Sequence, residues 1–221
     1  MANARCALIF DMDGVIVDSN PVHREAWVQF NRRAGIETTE AMHEFMYGKR
    51  NDEIVRDFIG NHLTDAEIFA HGAAKEVIFR DMIGPLLHGA LVPGLRDFLE
   101  RHRDFAIGCA TNAEPANVAF VLDAAKIRQF FDVAVDGHQV ARPKPFPDIY
   151  LRAAELLEVA PERCLVFEDS FTGVEAARAA GMEVVALRTT HREFRGVQLS
   201  VDNFLSSELD SFILGFRERR G

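Results

Sequence analysis

Five short, nearly unbroken apolar runs recur along the 221-residue chain with helix-period sequence between them: "RCALIF" (5–10), "FAIGCA" (105–110), "DVAV" (132–135), "RCLVF" (163–167) and "EVVAL" (183–187). A strand with one wet face alternates apolar and polar residues. These runs do not, so they suit strands covered on both faces, as in a parallel sheet. Helical patterns at about 115–125, 147–158 and 172–180 supply the crossovers, with Pro147 in a first turn and Gly181 just past a helix end. The pattern predicts an α/β protein: a Rossmann-like three-layer core with helices on both sides of the sheet.

One interval breaks the alternation. More than ninety residues separate the first run from the second, and they read as almost wholly helical. The first helix is "PVHREAWVQFNRRA", with Asn20 as its cap, Pro21 at the first helical position, Val22, Ala26 and Phe30 on one face, and Gly35 as terminator. Further helices are expected at about 38–45, 51–60 and 64–83. The chain would leave the sheet domain through 14–20 and return through 84–93, and two adjacent crossings can act as a hinge. The expected organisation is a core domain of residues 1–17 and 88–221 with an inserted helical cap domain at 18–87. The tail "FILGFRERRG" reads either as a last helix or as a frayed end.

Composition bounds the partners. With 34 Asp and Glu against 25 Lys and Arg, a net charge of −9 gives no electrostatic reason to expect nucleic acid or an anionic membrane, although a local basic pocket stays open. Cys6, Cys109 and Cys164 lie inside apolar runs and are odd in number, so reduced, packed thiols are expected rather than disulfides. No stretch is long enough to span a bilayer, and the apolar segment at 6–10 is too short for a signal peptide. A cytoplasmic protein is the expectation, its oligomeric state unreadable.

Ligands of open parallel sheets collect at the carboxyl ends of the strands, and three of these strands end in polar residues. The first ends in Asp11 and Asp13, the second in Thr111 and Asn112, the fourth in Glu168 and Asp169, with Lys144 in a nearby loop. Two unit charges about 5 Å apart at an effective dielectric of about 20 repel by roughly 3 kcal/mol, and a cluster multiplies the pairs. A bound cation would offset this. Oxygen ligands without Cys or His point to Mg²⁺ rather than zinc. Some of these acids could instead cap helices, a reading that fits Asp18 and Ser170 better than Asp11 and Asp13.

"DMDGVIVDS" (11–19), "ATN" (110–112), "RPKPFPDIY" (142–150) and "VFEDSFTGVEAARAAGM" (166–182) resemble, in order and spacing, the four motifs of the haloacid dehalogenase-like hydrolases. The helical insertion resembles the cap of the subgroup that contains phosphoglycolate phosphatases and β-phosphoglucomutases. The resemblance implies that Asp11 is the nucleophile, forming an aspartyl phosphate, and that Asp13 is the acid–base partner. It implies Mg²⁺ held by Asp11, the backbone carbonyl of Asp13 and Asp169, with Glu168 as an outer ligand or orienter. Phosphate would be held around Thr111, Asn112 and Lys144. Only four Lys occur in the chain, and one stands between two prolines beside the site.

Asp13 argues against dehalogenase and phosphonate-cleaving chemistry, whose members lack an acid two residues after the nucleophile. A small phosphorylated metabolite, such as a sugar phosphate, is the expected substrate of a phosphatase; the alternative is a β-phosphoglucomutase-like hexose-phosphate mutase. Such mutases carry a Ser and a Lys where this chain has Ala113 and Glu114, and an Arg where it has Asn51, which tilts the reading to hydrolysis. A site that binds without turnover is a third possibility. On the cap, His23, Lys49, Arg50 and Asn51 are candidate substrate contacts, balanced against packing for His23 and a solvated helix end for the others. Trp27, one turn after His23, reads as packing.

Overall fold

A computed structural model describes residues 6–60 and 62–220 of the chain. Met1 to Arg5, Asn61 and Gly221 lie outside the described residues, and with them the start of the predicted first strand at Arg5 and small parts of the predicted domain spans. In chain order the elements are β1 (Ala7–Phe10), α1 (Asn20–Arg33), α2 (Glu40–Met46), α3 (Asn51–Ile59), α4 (Asp65–Ile83), α5 (Leu87–Ala90) and α6 (Leu95–Arg101). They continue with β2 (Ala106–Ala110), α7 (Pro115–Ala124), β3 (Val133–Val135), α8 (Asp148–Leu156), β4 (Cys164–Glu168), α9 (Phe171–Ala179), β5 (Glu183–Leu187), β6 (Leu199–Val201) and α10 (Ser207–Arg220).

The strands form one sheet in the order β3-β2-β1-β4-β5-β6, and every pairing is parallel. Alternate residues of the buried strands serve opposite faces. Leu8 and Phe10 of β1 enter the core shared with α6, α7 and α10, while Ala7 and Ile9 pack with α8 and α9. On the first face Phe10 stacks on Phe167 of β4 at 4.6 Å between ring centroids, with Phe98 and Phe204 closing the cluster. The central strands are buried from end to end, which is why their sequence shows no alternation.

The long interval is helical, as predicted. α1 packs on α4, where His23 stacks on Phe79 at 3.7 Å, and Trp27 meets Phe58 of α3 edge to face. Ala26, Trp27 and Phe30 are buried, with Val22 partly so, and Gly35 follows the helix at φ +74°. The two crossings lie side by side: Asp18 N–H donates to the Ala90 carbonyl at 2.7 Å and Val92 N–H to that of Ile16 at 3.1 Å, with Val17 bridging Leu91 antiparallel.

Several expectations need correction. Asn20 is the first residue of α1 and not its cap; Ser19 occupies that position and makes no side-chain capping bond, and Asp18 does not cap the helix either. Ser170 does cap, accepting from Gly173 N–H at 3.1 Å. Pro147 precedes α8 instead of starting it. A sixth strand, β6, extends the sheet beyond β5, and the tail is helix α10, with Leu209, Ile213 and Phe216 buried. All three cysteines are buried free thiols, and no helix among the described residues is long and apolar enough to cross a membrane.

Candidate active site

The carboxyl ends of β1, β2 and β4 meet at one edge of the sheet, where Asp11, Thr111 and Asp169 are all nearly inaccessible to solvent. Ligand oxygens of Asp11, Glu168 and Asp169 lie within 4.8 Å of one another. Lys144, 1% exposed, places Nζ 2.6 Å from Glu168 Oε1 and 2.9 Å from Asp11 Oδ1. One cation thus faces three buried carboxylates, which leaves surplus negative charge.

Each carboxylate answers this differently. Glu168 is saturated: Oε1 accepts from Lys144 and from the Tyr150 hydroxyl at 2.7 Å, and Oε2 from the backbone N–H of Asp169 and Ser170 and from the Ser170 hydroxyl. Burial alone would raise its pKa, but Lys144 and these donors hold it below the usual range. Asp11 has no such shell. Burial pushes it up to about 7 from an ordinary 3.8, against the pull of Lys144 and with Glu168 adding to the rise. Among the described residues no donor makes a well-directed hydrogen bond to Asp11 Oδ1, which is buried. Asp169 is likewise held well above the carboxylate range by burial, Glu168 and Asp11. An under-satisfied buried oxygen, two carboxylates forced toward neutrality and an all-oxygen donor set fit a hard divalent cation.

Backbone geometry makes room for this cluster. Gly14 has φ +76°, and a Cβ there would fall 1.8 Å from Asp169 Oδ2; a Cβ on Gly173 would fall 1.7 Å from Glu168 Oε1. Both glycines are required by approach of a carboxylate, the first by its dihedral as well.

Asp13 lines the same cleft two residues from Asp11, but its side chain is paired outside the group formed by Asp11, Glu168 and Asp169. Its Oδ1 accepts from the Ser19 hydroxyl and lies 3.2 Å from His23 Nε2 on α1. Lys75 Nζ on α4 sits 2.7 Å from His23 Nδ1. An ammonium has only hydrogens to offer, so Nδ1 accepts, Nε2 carries the ring hydrogen, and that hydrogen is aimed at Asp13. Burial alone would raise Asp13, but His23 and Ser19 hold it below its ordinary value.

The other predicted residues fall around the same cleft. Thr111 lines it, its hydroxyl oxygen accepting from Ala113 N–H at 3.2 Å. Asn112 also lines it, yet both ends of its amide are engaged: Nδ2 donates to the Gly48 carbonyl at 2.8 Å, and Oδ1 accepts from Lys144 N–H at 3.2 Å. Lys49, Asn51 and Trp27 line the cleft too. Arg50 does not; its guanidinium pairs with Asp52 at 3.0 Å and reaches the Gly137 carbonyl, beside a separate outer cavity.

Sequence reasoning missed Lys75 and Glu76. Lys75 is 2% exposed and pairs with Glu76 at 2.9 Å; Glu76 also accepts from Asn51 at 2.8 Å and from Asn117 of α7 at 2.7 Å. Arg80 donates to Asn117 and pairs with Glu114 at 2.8 Å, so α4 is joined to the sheet's own helix α7. A signal existed. Ile68, Gly72, Phe79 and Ile83 form a buried helical stripe, and Lys75 sits in register on it.

Burial alone would raise Glu76, but Lys75, His23 and Asn117 hold it below its ordinary 4.5. A depressed carboxyl adds stability above its unfolded value, and that stability is lost as pH falls through the folded value. Glu76→Gln is therefore expected to cost about 1–3 kcal/mol at pH 7, with the gap to wild type narrowing below pH 4.5. Thermal unfolding of both proteins at pH 7 and in acid checks this; a gap that does not change with pH would contradict it.

Residues 7–181 match the family described as haloacid dehalogenase-like hydrolase. The chain is 34% identical over 187 residues to a fructose-1-phosphate phosphatase of Escherichia coli, covering 82% of this chain and 95% of that one. It is 32% identical over 222 residues to a β-phosphoglucomutase of Mycobacterium bovis, covering 87% and 85%. The crystal structure of a β-phosphoglucomutase from Clostridium difficile superposes with a TM-score of 0.85 at 24% identity, covering 96% of this chain and 97% of that one, which establishes the shared fold.

Proposed function

The chain belongs to the haloacid dehalogenase-like hydrolase family, and within it we propose a Mg²⁺-dependent phosphatase that hydrolyses a small phosphorylated metabolite, a sugar phosphate in particular, through an aspartyl phosphate on Asp11. One observation carries this reading: the two aspartates of "DMDG" sit in opposite electrostatic settings. Asp11 lies among carboxylates beside Lys144, and Asp13 is held by His23 and Ser19. Two acids two residues apart, one inside the carboxylate cluster and the other held outside it, can divide the work of nucleophile and proton carrier.

In the first half of the reaction an Asp11 oxygen bonds to phosphorus as the bond to the leaving oxygen breaks, and Asp13 gives that oxygen a proton. Asp13 must first acquire one, which the approach of a doubly negative phosphate favours by like-charge repulsion. In the second half Asp13 takes a proton from water, the water oxygen bonds to phosphorus, and Asp11 is released as a carboxylate with inorganic phosphate. Lys144 offsets charge on the transferring group, Thr111 donates to a phosphoryl oxygen, and Asn112 holds the Lys144 backbone in place. Mg²⁺, held by Asp11, the Asp13 carbonyl and Asp169 with Glu168 behind them, would offset further phosphoryl charge. Residues 18–87 would act as a cap moving on the paired crossings, presenting Lys49, Asn51 and His23 to the substrate, with Arg50 facing away.

The fructose-1-phosphate phosphatase supports hydrolysis of a sugar phosphate. The identity to a β-phosphoglucomutase favours a second reading, the hexose-phosphate mutase. Against it stand Ala113 and the Arg80-bound Glu114, since an acid is a poor grip for a second phosphate. Three buried thiols support a reducing, cytoplasmic setting. A panel of phosphorylated metabolites with Mg²⁺ is expected to give phosphate release, and β-glucose 1-phosphate with a trace of the bisphosphate no isomer. Isomer formed without net phosphate release would favour the mutase; no turnover of any compound would leave a binding role.

A further inference from the structure

Asn20 follows the first crossing directly and opens α1, yet its side chain does not serve the helix. Its amide Nδ2 donates to Asp169 Oδ2 at 3.0 Å and to Thr190 Oγ1 at 2.6 Å. The Thr190 hydroxyl, having accepted from Asn20, donates to the same Asp169 oxygen. The triangle is closed: each hydrogen of the Asn20 amide and of the Thr190 hydroxyl has an acceptor. Neighbouring Thr189 donates to the Gly14 carbonyl at 2.6 Å, so the segment after β5 is fastened at both residues. The Asp169 carboxylate packs on the bare backbone of Gly14, leaving no room for a side chain there.

We propose that Asn20 and Thr190 are positioning residues that hold Oδ2 of Asp169 and so leave Oδ1 as the oxygen a cation would take, tying the metal site to the first helix of the insert. The inference rests on the reading of Asp169 as a metal ligand. A carboxylate with one oxygen engaged by two donors has one oxygen left for a metal, and its rotation about the Cβ–Cγ bond is restrained. Three elements meet in this triangle: β4 through Asp169, the segment after β5 through Thr190, and the insert through Asn20. A swing of α1 away from the sheet withdraws Asn20 from Asp169. Metal occupancy and the position of α1 are therefore linked, and linkage is reciprocal: a cation that needs Asp169 oriented favours the docked helix.

Calorimetric titration of the metal-free protein with MgCl₂ tests the proposal without recourse to activity. Asn20→Ala and Thr190→Val are each expected to weaken Mg²⁺ binding roughly tenfold. Thr190→Ser, which restores the hydroxyl, is expected to bind as wild type does. Thr190→Val conserves volume, which guards against misfolding as the cause. Hydrogen exchange in α1 is expected to slow when wild type binds Mg²⁺ and to lose that response in Asn20→Ala. Both variants binding within twofold of wild type would overturn this inference alone. A wild-type chain that binds no Mg²⁺ would overturn it together with the reading of the site. Exchange in α1 that ignores Mg²⁺ in wild type would remove the link to the helix.

Discussion

Asp11→Asn is expected to cut phosphate release by roughly 10⁴-fold or more while leaving the fold as stable as before, or more so. The loss follows from the role: an amide oxygen is a poor acceptor of a phosphoryl group, and no other carboxylate in the cluster has its oxygens free in the same way. Glu168 is saturated by five donors, and Asp169 Oδ2 is engaged by Asn20 and Thr190. The stability expectation follows from charge. Burial raises Asp11 to about 7 from 3.8, so in the metal-free protein its ionisation works against the folded state as pH climbs from the lower value to the higher. Asn removes that ionisation. Lys144 keeps its partner in Glu168 at 2.6 Å. Melting in a chelator at pH 8 is therefore expected to show a temperature equal to or above wild type, with the difference vanishing near pH 4. Phosphate release persisting in the variant would defeat the nucleophile assignment; a large fall in melting temperature would show that Asp11 is a structural partner of Lys144 first. An active-site group that lowers stability where it serves reactivity is a familiar trade.

What the sequence disclosed and what it hid divide by range of interaction. The central strands were legible because burial on both faces removes alternation, and Leu8, Phe10 and Phe167 write that burial into the residues themselves. β6 was not, being three residues long at an edge, with Ser200 between two apolar neighbours. The acids at the sheet edge were legible because strand ends in a parallel sheet share one rim. Asn20 was misread because Asn before Pro is a strong capping signal, and a short-range rule cannot see a carboxylate 149 residues away that needs a donor. The contacts of Asp13 with His23, and of His23 with Lys75, depend on how α1 lies on α4, across 52 positions. Two of the four lysines are buried, Lys75 against the His23 that faces Asp13 and Lys144 against Asp11. A scarce lysine on an apolar stripe was the legible trace of the first, and its setting between prolines of the second.

Lys144→Met is expected to be strongly destabilising. Nζ is the only cation within ion-pair distance of Asp11 and Glu168 among the described residues, and it also lies 4.8 Å from the Tyr150 ring. Burial alone would lower its pKa, yet Asp11 and Glu168 raise it, so the lysine is charged throughout the working range. Removing it leaves the Glu168 carboxylate buried without its cation, beside Asp11 and Asp169, which burial already drives toward neutrality. Breaking a buried pair by deleting one partner costs about 3–5 kcal/mol, which for a chain of this size lowers the melting temperature by roughly 6–20 °C. The cluster then has one remaining way to offset its charge, a divalent ion. Mg²⁺ should consequently raise the melting temperature of the variant by more than it raises that of wild type, because the ion replaces a missing positive charge as well as binding its ligands. Lys144→Arg separates charge from shape: it keeps the cation but substitutes a planar fork for a compact ammonium, so it should recover stability better than activity. Thermal unfolding of the three proteins in chelator and in Mg²⁺, with phosphate release measured in parallel, decides the matter. A Met variant that melts within a degree or two of wild type in chelator would mean that the fold does not depend on Lys144 to offset Glu168, and that Lys144 is needed only when phosphate arrives.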